Sequence, residues 1–447
     1  MSIPQSGGGP IESRAQLISY MESGSKPKSN WTIGTEHEKF GFDAAHRPLP
    51  YEGEVSIKAM LRGLHNCFGW NEVHETGKLI GLTKAGANIS LEPGGQFELS
   101  GAMVENLNQT AAELDSHLRE VNAIGNKIGA KFMGLGAAPE WRADEVAVMP
   151  KGRYRLMTDY MARVGSHGTQ MMYRTCTVQV NLDFSSEADM VKKLRVALAL
   201  QPVATALFAN SPFFEGKVNG HKSWRSRIWR NLDSARTGML PFAFESGMGF
   251  EAYVDWILDV PMYFVYRDGK YINALGQSFR EFLVGKLPAL PGEVPTLSDW
   301  ADHMTTVFPE VRVKKYIEMR GADVGDQPHI NALPAFWVGL MYNSVALDAA
   351  WDLVKSFDSA AREALRVAAS VHGLDAEVEG VRIIDLARAA LTLSHAGLAE
   401  RGFGEEIYLA PLMKNIATKT TQADRWLALY NGEWGGDLSK IYSAAIL

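Results

Sequence analysis

The ten residues Thr175-Cys-Thr-Val-Gln-Val-Asn-Leu-Asp-Phe184 decide the fold. Cys176, Val178, Val180, Leu182 and Phe184 hold the even positions; Thr175, Thr177, Gln179, Asn181 and Asp183 hold the odd ones. A β-strand turns successive side chains to opposite faces, so this segment has one wholly apolar face and one wholly polar face. Ser185-Ser186 follows at once and reads as the cap of a helix, with Met190, Leu194, Ala197 and Leu198 inward and Pro202 near its end. Helices that cover the apolar side leave the polar side either as a solvated face or as the floor of a cleft. Five successive hydrogen-bonding side chains suit a charged, polar ligand better than an apolar one.

Three further segments read as strands: Trp31-Thr-Ile-Gly-Thr-Glu-His-Glu-Lys-Phe-Gly-Phe42, a stretch near Ile89 to Leu99, and Val311 to Arg320. Between them run helical patterns: a short one near Ile11 to Met21, and a stripe of Val104, Leu107, Ala111, Leu114, Leu118 and Val121. After about Trp351 the text is rich in alanine and leucine and mostly helical. Half-polar strands mixed with long helices predict an α+β fold. No linker or fixed-period repeat divides the chain, so we expect an N-terminal arm over 1–30 and one catalytic domain over 31–447, with about 352–447 as a mostly helical C-terminal part.

Composition excludes several classes. The 447 residues carry 45 Lys+Arg against 51 Asp+Glu, a net charge of −6, which gives no basic footprint for nucleic acid or an anionic membrane. No apolar stretch is long enough to span a bilayer, and the opening MSIPQSGGGP has no export-signal core. Two cysteines, Cys67 and Cys176, cannot build a disulfide framework or a four-thiolate zinc site, and they point to a reducing, cytoplasmic setting. There is no phosphate loop, no dinucleotide glycine fingerprint, no H-E-x-x-H and no nucleophile elbow. Phosphate or metal binding must therefore use scattered side chains on strands.

Those side chains are mostly carboxylates. Glu36 and Glu38 are two apart in a strand and share a face; paired carboxylates need cations, protons or solvent, and an edge strand blunted by charge is the plainer explanation. In Leu91-Glu92-Pro-Gly-Gly-Gln-Phe-Glu98, the Pro93-Gly94-Gly95 run allows a hairpin turn or a bulge that re-aims Glu92, while Gln96 and Glu98 share a face. Lys314, Tyr316, Glu318 and Arg320 form a fourth polar face, equally readable as a surface ion pair. Glutamate and glutamine oxygens without His or Cys favour Mg²⁺, with Mn²⁺ an alternative, and Mg²⁺ commonly bridges to substrate phosphates. Lys151, Arg153 and Arg155 sit in a loop-like stretch, and Arg225, Arg227, Arg230 and Arg236 cluster after Asn210-Ser211-Pro212; each could clamp a carboxylate or phosphate or lie in solvent. His37 and His167 read as satisfied polar groups, and Cys176 as a small hydrophobe.

Gly34-Thr-Glu-His-Glu-Lys-Phe-Gly-Phe42, Glu92-Pro-Gly-Gly-Gln-Phe-Glu-Leu-Ser-Gly101, Met149-Pro-Lys-Gly-Arg-Tyr154, Arg174-Thr-Cys-Thr-Val-Gln-Val-Asn-Leu-Asp183, Arg236-Thr-Gly-Met-Leu-Pro-Phe242 and Glu318-Met-Arg-Gly-Ala-Asp323 together resemble the plant and proteobacterial type of glutamate–cysteine ligase. The resemblance runs from about Trp31 to Leu429-Tyr-Asn-Gly-Glu-Trp434. It implies a glutamine-synthetase-like fold, with a curved, mainly antiparallel sheet forming a funnel-shaped active site. It also implies ATP-dependent joining of the L-glutamate γ-carboxyl to the L-cysteine amine through γ-glutamyl phosphate, the first step of glutathione synthesis. Under it, Glu36, Glu38, Glu92, Glu98, Gln179 and Glu318 hold two or three Mg²⁺, Arg320 touches the transferring phosphoryl group, Arg225 takes the α-carboxylate of glutamate, and Lys151, Arg153 and Arg236 hold phosphates. The cysteine pairs of the plant members fall here on Ala111 with Asn331 and on Ala274 with Ala289, so no disulfide-linked dimer is expected and a monomer is. Residues 1–30 lack transit-peptide composition. The competing readings are a glutamate-activating ligase or kinase with another amine acceptor, and an inactive ligand-binding relative.

Overall fold

The structure is a computed structural model and describes residues 7–447. Its centre is an eight-stranded sheet built from β1 (Ile33–His37), β2 (Asn71–Glu75), β3 (Lys78–Lys84), β4 (Ala87–Leu91), β5 (Phe97–Ser100), β6 (Thr177–Leu182), β7 (Val311–Val313) and β8 (Ile317–Asp323). The spatial order is β7-β8-β6-β1-β5-β4-β3-β2, and every pairing in it is antiparallel. β6 lies near the middle, and the apolar residues on it and flanking it, Cys176, Val178, Val180, Leu182 and Phe184, are fully buried.

Helices flank the sheet: α1 (Arg14–Glu22), α2 (Leu107–Ile128), α3 (Gly152–Met161), α4 (Glu187–Leu207), α5 (Trp224–Trp229), α6 (Gln327–Met341) and α7 (Ser359–His372). Of these, α1, α3 and α5 border the polar side. α4 packs on β8 and α6 on β6. Ser186 caps α4 as its sequence predicts, its side chain accepting from the backbone of Asp189. The expected α+β fold, with an antiparallel sheet, flanking helices and a helical C-terminal region, is borne out.

Some boundaries differ. The stretch near Ile89 to Leu99 is two strands joined by a tight turn. There Gly95 takes φ +80°, and a side chain on Gly94 would lie 2.5 Å from the Tyr173 carbonyl, so both glycines are required. Val311 to Arg320 is also a hairpin, reversing at Lys314–Tyr316, where the Lys314 N–H donates to the Tyr316 carbonyl at 2.8 Å. The Trp31–Phe42 stretch breaks after His37, and Phe40–Phe42 pairs elsewhere, with Lys131–Met133. The basic stretch read as a loop is the start of α3.

The segment before β1 is tied to the fold. Arg14 donates to Asp255 at 2.9 Å and to Glu251 at 2.7 Å, Leu17 and Met21 are fully buried, and Lys26 pairs with Asp183 at 2.9 Å. Among the described residues no single helix is long and apolar enough to cross a membrane.

Candidate active site

The registers draw one polar row across the sheet. Ser90 on β4 faces Glu98 on β5; Ser100 on β5 faces Glu36 on β1; Glu36 faces Gln179 on β6; Asn181 on β6 faces Glu318 on β8; Glu318 faces Arg312 on β7. Each is therefore placed by backbone pairing, not by a flexible loop. The row is cross-linked: Ser90 donates to Glu98 at 2.5 Å, Asn181 to Glu36 at 2.8 Å, and Arg320 to the side-chain Oε1 of Gln179 at 2.8 Å. Glu38 lies just past β1, where its carboxylate accepts the Thr177 N–H at 2.9 Å. Glu92 opens the Pro93-Gly94-Gly95 turn.

A cavity of about 390 Å³ stands on this row. Glu36, Glu38, Glu92, Glu98, Gln179 and Glu318 all line it, together with Arg153, Arg312, Lys314 and Arg320. A smaller inner chamber of about 70 Å³ shares Glu38, Glu92, Gln179 and Arg320 with it and adds Arg225, Trp229, Met171, Met172 and Thr177. The outer space is mostly charged, whereas the inner one adds apolar side chains and the Arg225 guanidinium to the shared Glu38, Glu92 and Arg320.

Crowded buried carboxylates raise one another's proton affinity. Burial, then Glu98 and Glu318, raise the Glu36 carboxyl above its ordinary range. Burial, then Glu92 and Glu98, raise Glu38 well above it. Burial and Glu98 push Glu92 up to about 7, against the pull of Lys151, Arg153 and Arg320. Glu318 goes the other way. Burial alone would raise it, but Arg312, Lys314 and Arg320 outweigh burial and hold it far below the carboxylate range. Its two oxygens are taken, one by Arg312 and the other by Lys314 at 2.9 Å. Glu318 is thus the best neutralised of the acids, and Glu38 and Glu92 the least.

Among the described residues no three acidic, His or Cys side chains converge closely enough to hold an ion by themselves. The donor set is all oxygen and short of positive charge around Glu38 and Glu92. That fits a hard divalent cation that completes its shell with water or substrate oxygens.

The basic candidates separate. Arg320 spans both chambers. Arg225 reaches the inner one from α5, where its Nη2 donates to the Arg320 carbonyl at 3.0 Å. α5 is anchored through Ser223, which caps it and donates to Asp323 at 2.8 Å at the end of β8. Arg153 lines the outer cavity and donates to Thr305 at 3.3 Å. Two expectations need correction. Arg236 is fully buried and lines neither chamber; it pairs with Asp233 at 2.7 Å, donates to the Thr306 and Pro261 carbonyls, and lies 4.0 Å from the Tyr263 ring centre. Lys151 lines neither chamber; its buried ammonium donates to the Leu91 carbonyl at 2.8 Å and supports the Glu92 turn from beneath. Gln96 is likewise spent on backbone, donating to the Met172 and Thr175 carbonyls. His37 departs from the expected satisfied polar group: its Nε2 is buried without a partner while Nδ1 meets the Lys39 ammonium at 3.2 Å.

The sequence reading gave Arg312 no role. It has the same strand parity as Lys314, Glu318 and Arg320, and that parity was the available signal. Tyr316, which shares that parity, also lines the outer cavity, as does Tyr20 on α1, which nothing in its local sequence marks.

An antiparallel sheet presenting carboxylates and arginines to a polar cavity defines a site for a small, charged ligand. Comparison with known proteins makes it specific. Residues 32–444 match glutamate–cysteine ligase family 2 (GCS2), and the chain belongs to that family. It is 52% identical over 430 residues to the chloroplastic glutamate–cysteine ligase of Brassica juncea, covering 96% of this chain and 83% of the relative. It is also 52% identical to that of Arabidopsis thaliana, covering 96% and 82%. The solved glutamate–cysteine ligase of Francisella tularensis in complex with AMP shares the fold, with a TM-score of 0.56, 12% identity, and coverage of 94% of this chain and 89% of that one. The expected cytoplasmic location is contradicted: these plant relatives are named chloroplastic.

Proposed function

We infer that this chain joins the γ-carboxyl of L-glutamate to the amine of L-cysteine at the expense of ATP, the first step of glutathione biosynthesis. The observation that carries this, beside family membership, is the two-chamber cavity in which Glu38, Glu92 and Arg320 face both spaces. The inner chamber suits an amino acid. Arg225 at its end offers a fork for the α-carboxylate, and Trp229, Met171 and Met172 pack the aliphatic chain. The γ-carboxylate then points toward Arg320 and the outer, charged space, where a triphosphate is accommodated.

Phosphoryl transfer is positioning plus neutralisation of spreading negative charge. Arg320 lies where the transferring group passes between chambers, and Arg153 and Arg312 add positive charge in the outer cavity. Glu36, Glu38, Glu92, Glu98, Gln179 and Glu318 are the oxygen donors toward two or three Mg²⁺, or Mn²⁺, which when bound supply charge neutralisation for the phosphates. Glu38 and Glu92 are the principal donors, since Glu318 is already neutralised by its cations. The cysteine amine then displaces phosphate from γ-glutamyl phosphate.

We further propose that residues 31–447 act as one catalytic domain and that the protein is a monomer. Cys176 is buried, Cys67 is a free thiol at the surface, and Ala111, Asn331, Ala274 and Ala289 offer no thiols for the pairings of the plant members. A coupled assay of ADP release tests the activity. Release should require glutamate and rise with cysteine; glutamate-dependent release that another amine accelerates and cysteine does not would overturn the assignment.

A further inference from the structure

The C-terminal helices contribute nothing to either chamber, yet one of their side chains reaches Glu310, the residue whose backbone pairs with Arg320. Arg366, on α7, pairs through Nη2 with the Glu310 carboxylate, and the two side chains are 5% and 8% exposed. Arg366 Nη1 also meets Glu363 at 3.4 Å, and its Nε is buried without a partner. Glu310 precedes β7, and its backbone is fastened on both sides: its N–H donates to the Gly238 carbonyl at 3.0 Å, and its carbonyl accepts the Arg320 N–H at 3.1 Å.

That last bond continues the β7–β8 ladder, in which Val311 faces Met319 and Arg312 faces Glu318, while on its other edge β8 is irregular. The register of β8 on β6 shifts between Met319 and Ala322, so Arg320 and Gly321 bulge out of the ladder. The bulge turns the Arg320 carbonyl to accept from Thr177 Oγ1 at 2.9 Å and from Arg225 Nη2 at 3.0 Å. It also leaves no room at Gly321, where a β-carbon would lie 2.1 Å from Gln201 Nε2 and 2.3 Å from Glu310 Oε2. The Glu310 carboxylate is therefore wedged directly against the bulge, with Arg366 as the cation opposite it.

We propose that Arg366 is a positioning residue for Arg320 and Arg225. By neutralising Glu310 it lets a buried carboxylate stay against the bulge, and the bulge aims both arginines. Without Arg366 the carboxylate is uncompensated and must move toward water, drawing with it the carbonyl that holds Arg320. This rests on the role given to Arg320 above. Misplacing a charge-stabilising group by about 1 Å can cost on the order of 100-fold in rate.

The test is steady-state kinetics on Arg366→Met, Arg366→Lys, Glu310→Gln/Arg366→Met and Arg320→Ala, with melting temperatures for each. Arg366→Met should lower kcat about 10- to 100-fold with KM for ATP nearly unchanged. The double variant should recover most of that loss, because no uncompensated carboxylate remains. Arg366→Lys, which keeps the charge, should fold and lose less than Arg366→Met. In an Arg320→Ala background, the further loss in kcat from Arg366→Met should shrink, since the part carried by the Arg320 side chain is already gone, while the part carried by Arg225, which the backbone carbonyl of residue 320 still holds, should persist as a raised KM for glutamate. Wild-type kcat in a folded Arg366→Met would overturn the proposal. So would a double variant no better than the single one at equal melting temperature, or, where Arg366→Met does not fold, a double variant that folds with kcat down by more than about 10-fold. Wild-type activity in Arg320→Ala would instead sink the reading of Arg320.

Discussion

The crowded carboxylates of the site carry an electrostatic strain whose pH dependence has a definite sign. Glu92 has a folded pKa of about 7 against an ordinary 4.5. Between those values the folded state binds more protons at this residue than the unfolded chain does. The stability it contributes is thus complete below about pH 4.5 and is lost as pH rises through 7. At about 1.4 kcal/mol per pH unit the loss is about 3 kcal/mol. Buried His37, His117 and His303 work oppositely, since burial holds their pKa values down, His303 to about 4, and stability from them grows with pH. The informative quantity is therefore the difference between wild type and Glu92→Gln, which keeps the histidines and removes the titration. Urea unfolding followed by tryptophan fluorescence in excess chelator, from pH 4.5 to 7.5, measures it. Glu92→Gln should gain about 3 kcal/mol on wild type across the window. Saturating Mg²⁺ should lift wild type more at pH 7.5 than at pH 4.5, by about 3 kcal/mol at 100 times Kd, and should lift Glu92→Gln less. A difference curve that is flat, or that runs the other way, refutes the argument that Glu92 is a buried, undercompensated acid.

Glu38→Ala and Arg320→Ala should each lower kcat/KM by at least about 100-fold, near 3 kcal/mol of transition-state stabilisation, with melting temperatures close to wild type; steady-state ADP release checks this, and full activity in both would dismiss the site. Arg225→Lys keeps the charge but loses the fork, so KM for glutamate should rise at least about 10-fold while KM for ATP holds, read from paired substrate titrations. Arg236→Ala leaves Asp233 buried and unpaired and should destabilise the protein by about 3–5 kcal/mol in urea unfolding, the signature of a structural rather than a phosphate-binding arginine.

How far the sequence could reach follows from which forces are local. The alternation in Thr175–Phe184 is a local signal, and it placed Gln179 on the polar face, with Asn181 and Thr177, and Cys176 in the core. Pro93-Gly94-Gly95 likewise announced a reversal, and Glu92 stands at it. The turn at Lys314–Tyr316 contains no Gly, Pro, Asn or Asp, so a hairpin read as one strand. Parity survived that error, because Lys314, Glu318 and Arg320 still gather on one side with Arg312. Arg225 and Arg236 show where local text fails. Both are arginines in one basic stretch, and only packing separates them, one opening on a chamber and the other enclosed by Asp233 and Tyr263. The Glu310–Arg366 pair is less legible still, since its partners stand far apart in sequence and neither carries a motif. The site is thus read from sequence where backbone periodicity sets side-chain direction. It is missed where the decisive quantity is which buried charge finds which counter-charge, and on this sheet that quantity determines which carboxylates remain open for a cation.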